Sequence, residues 1–450
     1  MFVLTTLAYP AVLLLLCVGA GLLVDACSGG WLPASLLPAV GAAALIALSQ
    51  LSTYAAPLAP ATPYLMLAAA LAGLALGRPK LRAFARRGRA LGWPLAAPAL
   101  AYLLAVAPVL AAGRTTFSSY MALADSAVHM LGADYLLRHG QEYAHLDLRN
   151  SYGLFIHNYY GTSYPSGSDT LFGGSAFLLR LPLIWAFQPF NAFMLACAAG
   201  PAWVLARRVG LGGGWAALAA LSATLPALVY GYELLVSVME ITALPMILAL
   251  GALVVLQRRW LTGPARGALP FALLAAAGIS ALGVGFAVWA LAATAVLALV
   301  LAGELRARRH SARGAAALLA AGGVAAFVAA LPTWIDVPGS VHVAQNIAST
   351  ANPGNLRKPL QAIQAVGIWL RGSYKQSPTG AALDVTRVLV VIALAAGALG
   401  AVQLLRRRRL ALAGWLALMG AAWLAVAVSA TTWVKAKEEM LTSPLVVLLS

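Results

Sequence analysis

The feature that most constrains this chain is a succession of long apolar stretches with almost no charge inside them. Runs such as AVLLLLCVGAGLLV and FALLAAAGISALGVGFAVWALAATAVLALVLAG repeat from end to end. About twenty such residues are needed to cross a bilayer as a helix. The runs do not alternate with period two, so helices are expected rather than a membrane β-barrel. Hydrophobic residues make up 62% of the 450 and charged residues only 10%. A soluble fold has too little polar surface in such a sequence to cover itself. In lipid the requirement reverses, and each backbone polar group is satisfied within its own helix.

The expected fold is therefore an all-α polytopic bundle of about twelve spans. They fall near 2–24, 33–54, 62–77, 93–112, 190–206, 214–230, 239–256, 268–283, 285–303, 314–331, 385–405 and 410–430. A further apolar run begins near 440 and is cut by Ser450, which points to a longer natural protein. Residues 1–24 lack a basic leading region and are followed by more spans, so they read as a first helix rather than a cleaved signal.

The net charge of +17 would suggest nucleic acid on a soluble chain. Here the basic residues sit in short clusters between apolar runs: 78–89, 207–208, 258–266, 306–313 and 406–409. All five fall on one side of the membrane if the spans are right, and most acids fall on the other. That is the positive-inside pattern, and it argues against a nucleic-acid partner. It places the protein in the cytoplasmic membrane with its acidic loops outside. Cys17, Cys27 and Cys197 form no CxxC, so neither a zinc site nor a disulfide framework is expected.

Two outside segments are long, 113–189 and 332–384, and long loops in compact proteins usually carry function. The chain divides into N-terminal helices (1–92), a core with the first loop (93–260) and C-terminal helices with the second loop (261–450). Asp125 and His129, four residues apart in ALADSAVHML, share a face of any helix. The helix holding them reads as amphipathic and interfacial, with Val128, Leu131 and Tyr135 opposite His129, Asp134 and Arg138. An aromatic stretch follows, with Tyr152, Tyr159, Tyr160 and Tyr164. The Tyr164–Pro165–Ser166–Gly167 turn delivers Asp169 to an apolar stretch over 171–187, broken by Arg180 and Pro182 and closed by Pro189. That stretch reads as a half-helix at the interface.

Each of these residues has a plainer reading. Asp125 and Asp169 can cap helices, His129 can be a satisfied surface histidine, and the tyrosines can form an interfacial belt. Glu240 begins an apolar run, where an acid either favours the helix start or faces a partner. Lys437, in KAKEEMLTSP, can bind a phosphate, snorkel or pair with neighbouring acids. The second-loop cations Arg357, Lys358, Arg371 and Lys375 lie among Trp334, Trp369 and Tyr374, where ordinary solvation or a lipid head group would suit them.

In order, these features resemble the GT-C superfamily of membrane glycosyltransferases. The resemblance rests on ALADSAVHMLGADYLLRHG, TSYPSGSDTLFGGSAFLLRLP, FMLACAAGPAWVLARRVGL and LPALVYGYELLVSVMEITALPMILAL. The KEEMLTSP segment is similar to a Lys…Ser-Pro pattern in large uncharacterised actinobacterial members. The likeness covers roughly residues 93–260 in order and the rest only in topology. Asp125 is followed by Ser126 where the superfamily often has paired acids, and three helices precede the one matched to its first.

The resemblance implies a sugar transferase that uses a polyprenyl-phosphate donor and an acceptor in the cell envelope, with the active site facing outward. Asp125 would be the base of an inverting transfer. His129, Glu240, Asp169, Tyr160 and Tyr164 would hold sugar or acceptor, and Lys437 or Arg138 would meet the leaving phosphate. Some members use a divalent metal such as Mg or Mn. Two other classes stay open: a polysaccharide polymerase or ligase of the O-antigen type, relying on outer-loop arginines and a histidine, and a transporter or flippase. A transporter would show mid-span charges and inverted repeats, and neither is evident.

Overall fold

A computed structural model describes the chain except for residues 87, 89–91, 118–122, 336, 350–355 and 357, and the side chains of 123–125, 344 and 347–349. Every regular element among the described residues is helical. The first third holds α1 (Tyr9–Ser28), α2 (Leu37–Tyr54), α3 (Thr62–Leu76), α4 (Arg78–Arg86), α5 (Gly92–Ala105) and α6 (Ala107–Ala112). The first loop carries α7 (Leu123–His139), α8 (Ser151–Tyr159) and α9 (Gly167–Leu178). The central helices are α10 (Leu183–Val209), α11 (Gly213–Thr224), α12 (Ala227–Leu234), α13 (Val238–Val255), α14 (Leu269–Leu282) and α15 (Ala287–Arg306). Then come α16 (Ala312–Ala329), α17 (Leu331–Ile335), α18 (Val337–Ser349), α19 (Ala381–Arg406), α20 (Leu410–Ser429) and α21 (Thr432–Leu449).

Among the described residues, nine helical runs are long and apolar enough to cross a membrane, or ten if α11 and α12 form one bent span. The protein is therefore a multi-pass membrane protein, with fewer such runs than the twelve expected. The missing spans have local causes. Helix α5 has only 14 residues. Helices α11 and α12 have 12 and 8 residues and meet at 57°. The two spans expected over 268–303 belong to one apolar run, Ala265–Arg306, of 42 residues. A straight helix of that length would measure about 63 Å, twice the hydrocarbon thickness of about 30 Å. The run instead breaks at Gly283, whose φ of +71° suits a residue without a side chain. Residues 265–268 at its start pack on α16, the helix that follows its end. Both ends thus lie toward one side, as two crossings require.

The core is widest around α10 and α13, which are buried along nearly their whole length. By contrast α19 and α20 present most of their Leu and Val side chains outward, as helices against lipid do. Helices α1, α2 and α3 pack backbone to backbone. A Cβ at Gly41 would lie 1.7 Å from the Cys17 carbonyl oxygen, and one at Gly73 would lie 1.8 Å from that of Gly19. Small residues permit this approach, which drives helix association where hydrophobic burial cannot.

On the arginine side, Asp25 at the end of α1 joins Lys80 at 2.6 Å and accepts the Leu32 backbone N–H at 2.8 Å. One basic cluster is thereby fixed to the first hairpin.

Candidate functional site

The first loop folds into a cap with its own small core of Val128, Tyr135, Leu136, Ile156 and Tyr160. Helix α7 is not the amphipathic surface helix expected. Val128 and His129 are both buried, as are Gly132, Ala133, Leu136 and Leu137. The helix lies between α9 and the cap, so neighbours cover several of its faces.

Helix α9 also departs from the expectation. It covers Gly167–Leu178, and residues 167–176 are all buried. At about 18 Å it is too short to span, and it is inserted among α2, α3, α7 and α14 instead of lying at the interface. Arg180, with a left-handed φ of +52°, ends it. Pro182 then caps α10, and Pro189 lies inside α10 rather than closing the stretch. Hydroxyls and an amide tie α9 to its neighbours. Tyr9 Oη and Ser175 Oγ are 2.9 Å apart, Ser49 Oγ and Thr170 Oγ1 are 2.8 Å apart, and Gln50 Nε2 donates to Thr170 Oγ1 at 3.0 Å. Buried donors and acceptors between helices must be satisfied in this way.

This insertion places Asp169. It is the third residue of α9, not its N-cap, and it is fully buried. Its Oδ1 is 2.8 Å from His129 Nδ1, and its Oδ2 accepts the Tyr160 hydroxyl at 2.7 Å. This contact fixes the orientation of the imidazole ring. Burial and the neighbouring carboxylate push the Tyr160 phenol well above its ordinary pKa, so it stays a donor. Its hydroxyl also lies 3.0 Å from the Val128 carbonyl oxygen. The His129 ring is flanked by Tyr164 and Phe187, with centroids 6.3 Å away in both cases.

Tyr160 is also a wall of a cavity of about 240 Å³. Gln50, Tyr143, Tyr164, Ser166 and Ser280 line it with amides and hydroxyls, and Pro332, Thr333, Ile335 and Ser340 of the second loop add to its wall. Phe187, beside His129, is in the second turn of α10, while Arg207 and Arg208 lie in its last turn. Helix α10 is about 40 Å long, so the cavity and the arginines occupy opposite ends of the bundle.

Glu240 and Lys437 form a second cluster. Lys437 Nζ is 2.5 Å from Glu240 Oε1 and lies over the Trp433 ring at 5.1 Å. Tyr232 and Tyr374 pack together beside them, with centroids 5.6 Å apart. Glu438 and Glu439 are buried in α21, and each has one carboxylate oxygen without a partner among the described residues. Glu233 is fully buried in α12, where its Oε1 accepts from Gln188 Nε2 at 2.9 Å and its Oε2 has no partner among the described residues.

The structure thus brings His129, Tyr160, Tyr164 and Asp169 together and places Glu240 with Lys437 apart from them. Arg138 joins neither group. It is exposed, paired with Asp134 at 2.8 Å, with its guanidinium over the Phe177 ring. The Asp125 side chain lies outside the described residues; its backbone begins α7 one turn before His129. Arg357 and Asp336 also lie outside them. Arg371 is exposed and donates to Gln376.

Two residues of the site were not singled out from sequence. Gln50 sits in α2, marked only by a polar run, Ser49–Gln50–Leu51–Ser52–Thr53, at a span's end. Gly132 lets α7 pass Tyr160, since a Cβ there would lie 2.0 Å from the phenolic oxygen.

Among the described residues, no group of three or more His, Cys, Asp or Glu is placed to hold a metal ion. Mg and Mn favour several oxygen ligands, whereas Asp169 and His129 face each other. No protein-family model, curated protein or solved structure matches the chain.

Proposed function

We propose that this protein is a membrane glycosyltransferase that takes a sugar from a polyprenyl-phosphate donor and transfers it, with inversion, to an extracytoplasmic acceptor in the cell envelope. The observation that carries this reading is Asp169, a fully buried carboxylate joined to His129 and to Tyr160, the tyrosine that walls the polar cavity. Aromatic faces with hydroxyls and amides suit a sugar ring, and the apolar bundle suits a lipid-linked donor. In this reading Asp125 takes the proton of the acceptor hydroxyl as that oxygen bonds to the anomeric carbon. The bond from that carbon to the phosphate oxygen breaks, and the lipid phosphate leaves with the electron pair. Asp169 and Tyr160 fix the His129 ring beside the reacting sugar. Lys437 is the cation this reading assigns to the leaving phosphate.

A histidine-based polymerase or ligase is the second reading. The Asp169-held His129 favours it, because a carboxylate on one ring nitrogen orients the other as a base. The exposed Arg371, already bonded to Gln376, does not.

The test uses the purified chain in nanodiscs with a panel of polyprenyl-phosphate sugars and envelope acceptors, read by mass spectrometry. Asp125→Asn is expected to lower transfer by roughly 10²–10⁴-fold while donor binding persists. Transfer that survives Asp125→Asn and vanishes in His129→Gln would move the assignment to the second reading. No transfer from any donor would sink both.

A further inference from the structure

The end of the bundle opposite the tyrosine cavity holds a site that the transfer reaction does not use. Three separate connectors converge there on a cavity of about 170 Å³. The last turn of α10 supplies Arg208, the segment after α13 supplies Arg258 and Arg259, and the α19–α20 turn supplies Arg408 and Arg409. Arg208 is half-buried and within electrostatic reach of Arg259 and Arg409. Arg408 sits in the left-handed region at φ +52°, a conformation that costs a residue with a side chain on the order of 1 kcal/mol.

Neighbouring arginines show what an ordinary role looks like here. Arg207 and Arg407 donate to backbone carbonyls of Leu211 and Val209 at the end of α10. The five cavity arginines have no such bond and no acidic partner among the described residues. The positive-inside rule explains why arginines lie on this side. It does not explain why five from three distant segments share one concavity, where they repel one another unless an anion is present. The guanidinium fork matches phosphate oxygens in geometry and charge.

We infer that this five-arginine cavity binds a phosphate-bearing anion, and that the phosphate is the head group of an anionic phospholipid. A lipid source is favoured because the cavity shares Leu412 with a crevice lined by Leu205, Leu404, Trp415 and Leu445. Basic pockets between membrane helices on the cytoplasmic side are the form such sites take, and here an apolar crevice adjoins the pocket at Leu412.

The full chain in mild detergent is offered equal amounts of phosphatidylglycerol and phosphatidylcholine, and retained lipid is read by native mass spectrometry. Phosphatidylglycerol is expected to be retained preferentially. Arg259→Gln with Arg409→Gln should cut that preference about twenty-five-fold, since each guanidinium near an anionic surface is worth roughly fivefold. A parallel arm adds inorganic phosphate at constant ionic strength and follows thermal melting. Stabilisation by phosphate without lipid preference would keep the anion site and reassign its source.

Two results overturn the inference. One is the absence of both effects. The other is a similar loss of preference, of about twenty-five-fold, in Arg306→Gln with Arg308→Gln, which removes the same charge elsewhere. Melting in phosphatidylcholine alone checks the fold of each variant. If the double variant melts early, the exposed Arg408→Gln replaces it, with about fivefold expected.

Discussion

The two acidic clusters differ in how completely their charges are answered. Around Asp169 both carboxylate oxygens have partners, His129 and Tyr160, and the two partners come from separate segments of the first loop. Around Glu240 one ion pair with Lys437 stands near Glu438 and Glu439 of the same helix as the lysine, each with an oxygen that no group among the described residues satisfies. A satisfied buried network holds one geometry, and a partly satisfied one retains capacity for a further partner. The Asp169 cluster therefore reads as a fixed scaffold. The Lys437 cluster reads as a place where protons or a substrate group can complete the set.

The largest expected effect tests the scaffold. Asp169→Ala leaves a buried imidazole and a buried phenol without their shared acceptor. Each buried group left without its partner costs about 1–3 kcal/mol, and the combined loss should appear as a clear drop in melting temperature in detergent. Gly132→Ala should act through the same cluster, because its new methyl would displace the Tyr160 ring. The two effects should then fail to add, since they share one network. A cost below about 1 kcal/mol for Asp169→Ala, in the range of an ordinary hydrogen bond, would show that the two clusters do not differ in the way described.

A smaller effect is expected at Lys437. Lys437→Met strands Glu240, whose side chain is nearly as buried as the pair allows, with 6% exposed against 22% for the lysine. Solvent reaching the lysine screens the pair, so a cost of about 2 kcal/mol is expected, below the fully buried range. Glu240→Gln in the same chain should recover much of it. A double-mutant cycle gives the coupling directly, and a coupling near zero would mean that the ion pair contributes little to this cluster.

Sequence periodicity and charge carried the coarse fold well. Uncharged apolar runs imply lipid-facing helices, and clustered arginines imply sidedness, because both follow from solvation alone. Tertiary burial is what hid the rest. Arg180 and Pro182 marked a break in the 171–187 stretch, but a left-handed backbone is rare at arginine, so the stretch read as one half-helix and not as the end of α9 and the start of α10. A helix as short as α9 survives inside the bundle only because Ser49, Gln50 and Tyr9 meet its hydroxyls, and those contacts join segments more than a hundred residues apart. His129 and Asp169 each stood out as candidates, yet nothing in their spacing announced that they bond to each other. Arg138 presents the opposite case. Its partner was four residues away in plain view, Asp134 at the position an i,i+4 pair requires.

That local pair supplies the smallest effect and the sharpest control. The Arg138 side chain is 61% exposed, so its attraction to Asp134 works against water and against the entropy of holding a long side chain still. Exposed pairs of this kind are worth roughly 0.3–0.5 kcal/mol. Arg138→Gln should therefore leave the melting temperature almost unchanged and leave sugar transfer within about twofold, because the residue lines neither the cavity nor the second cluster. Raising the salt to about 1 M, where the Debye length falls to about 3 Å, should shrink even the small stability difference. A loss of transfer in Arg138→Gln with melting unaffected would mean that the guanidinium swings from Asp134 to the substrate. The active surface would then extend beyond the cavity to the outer face of α7.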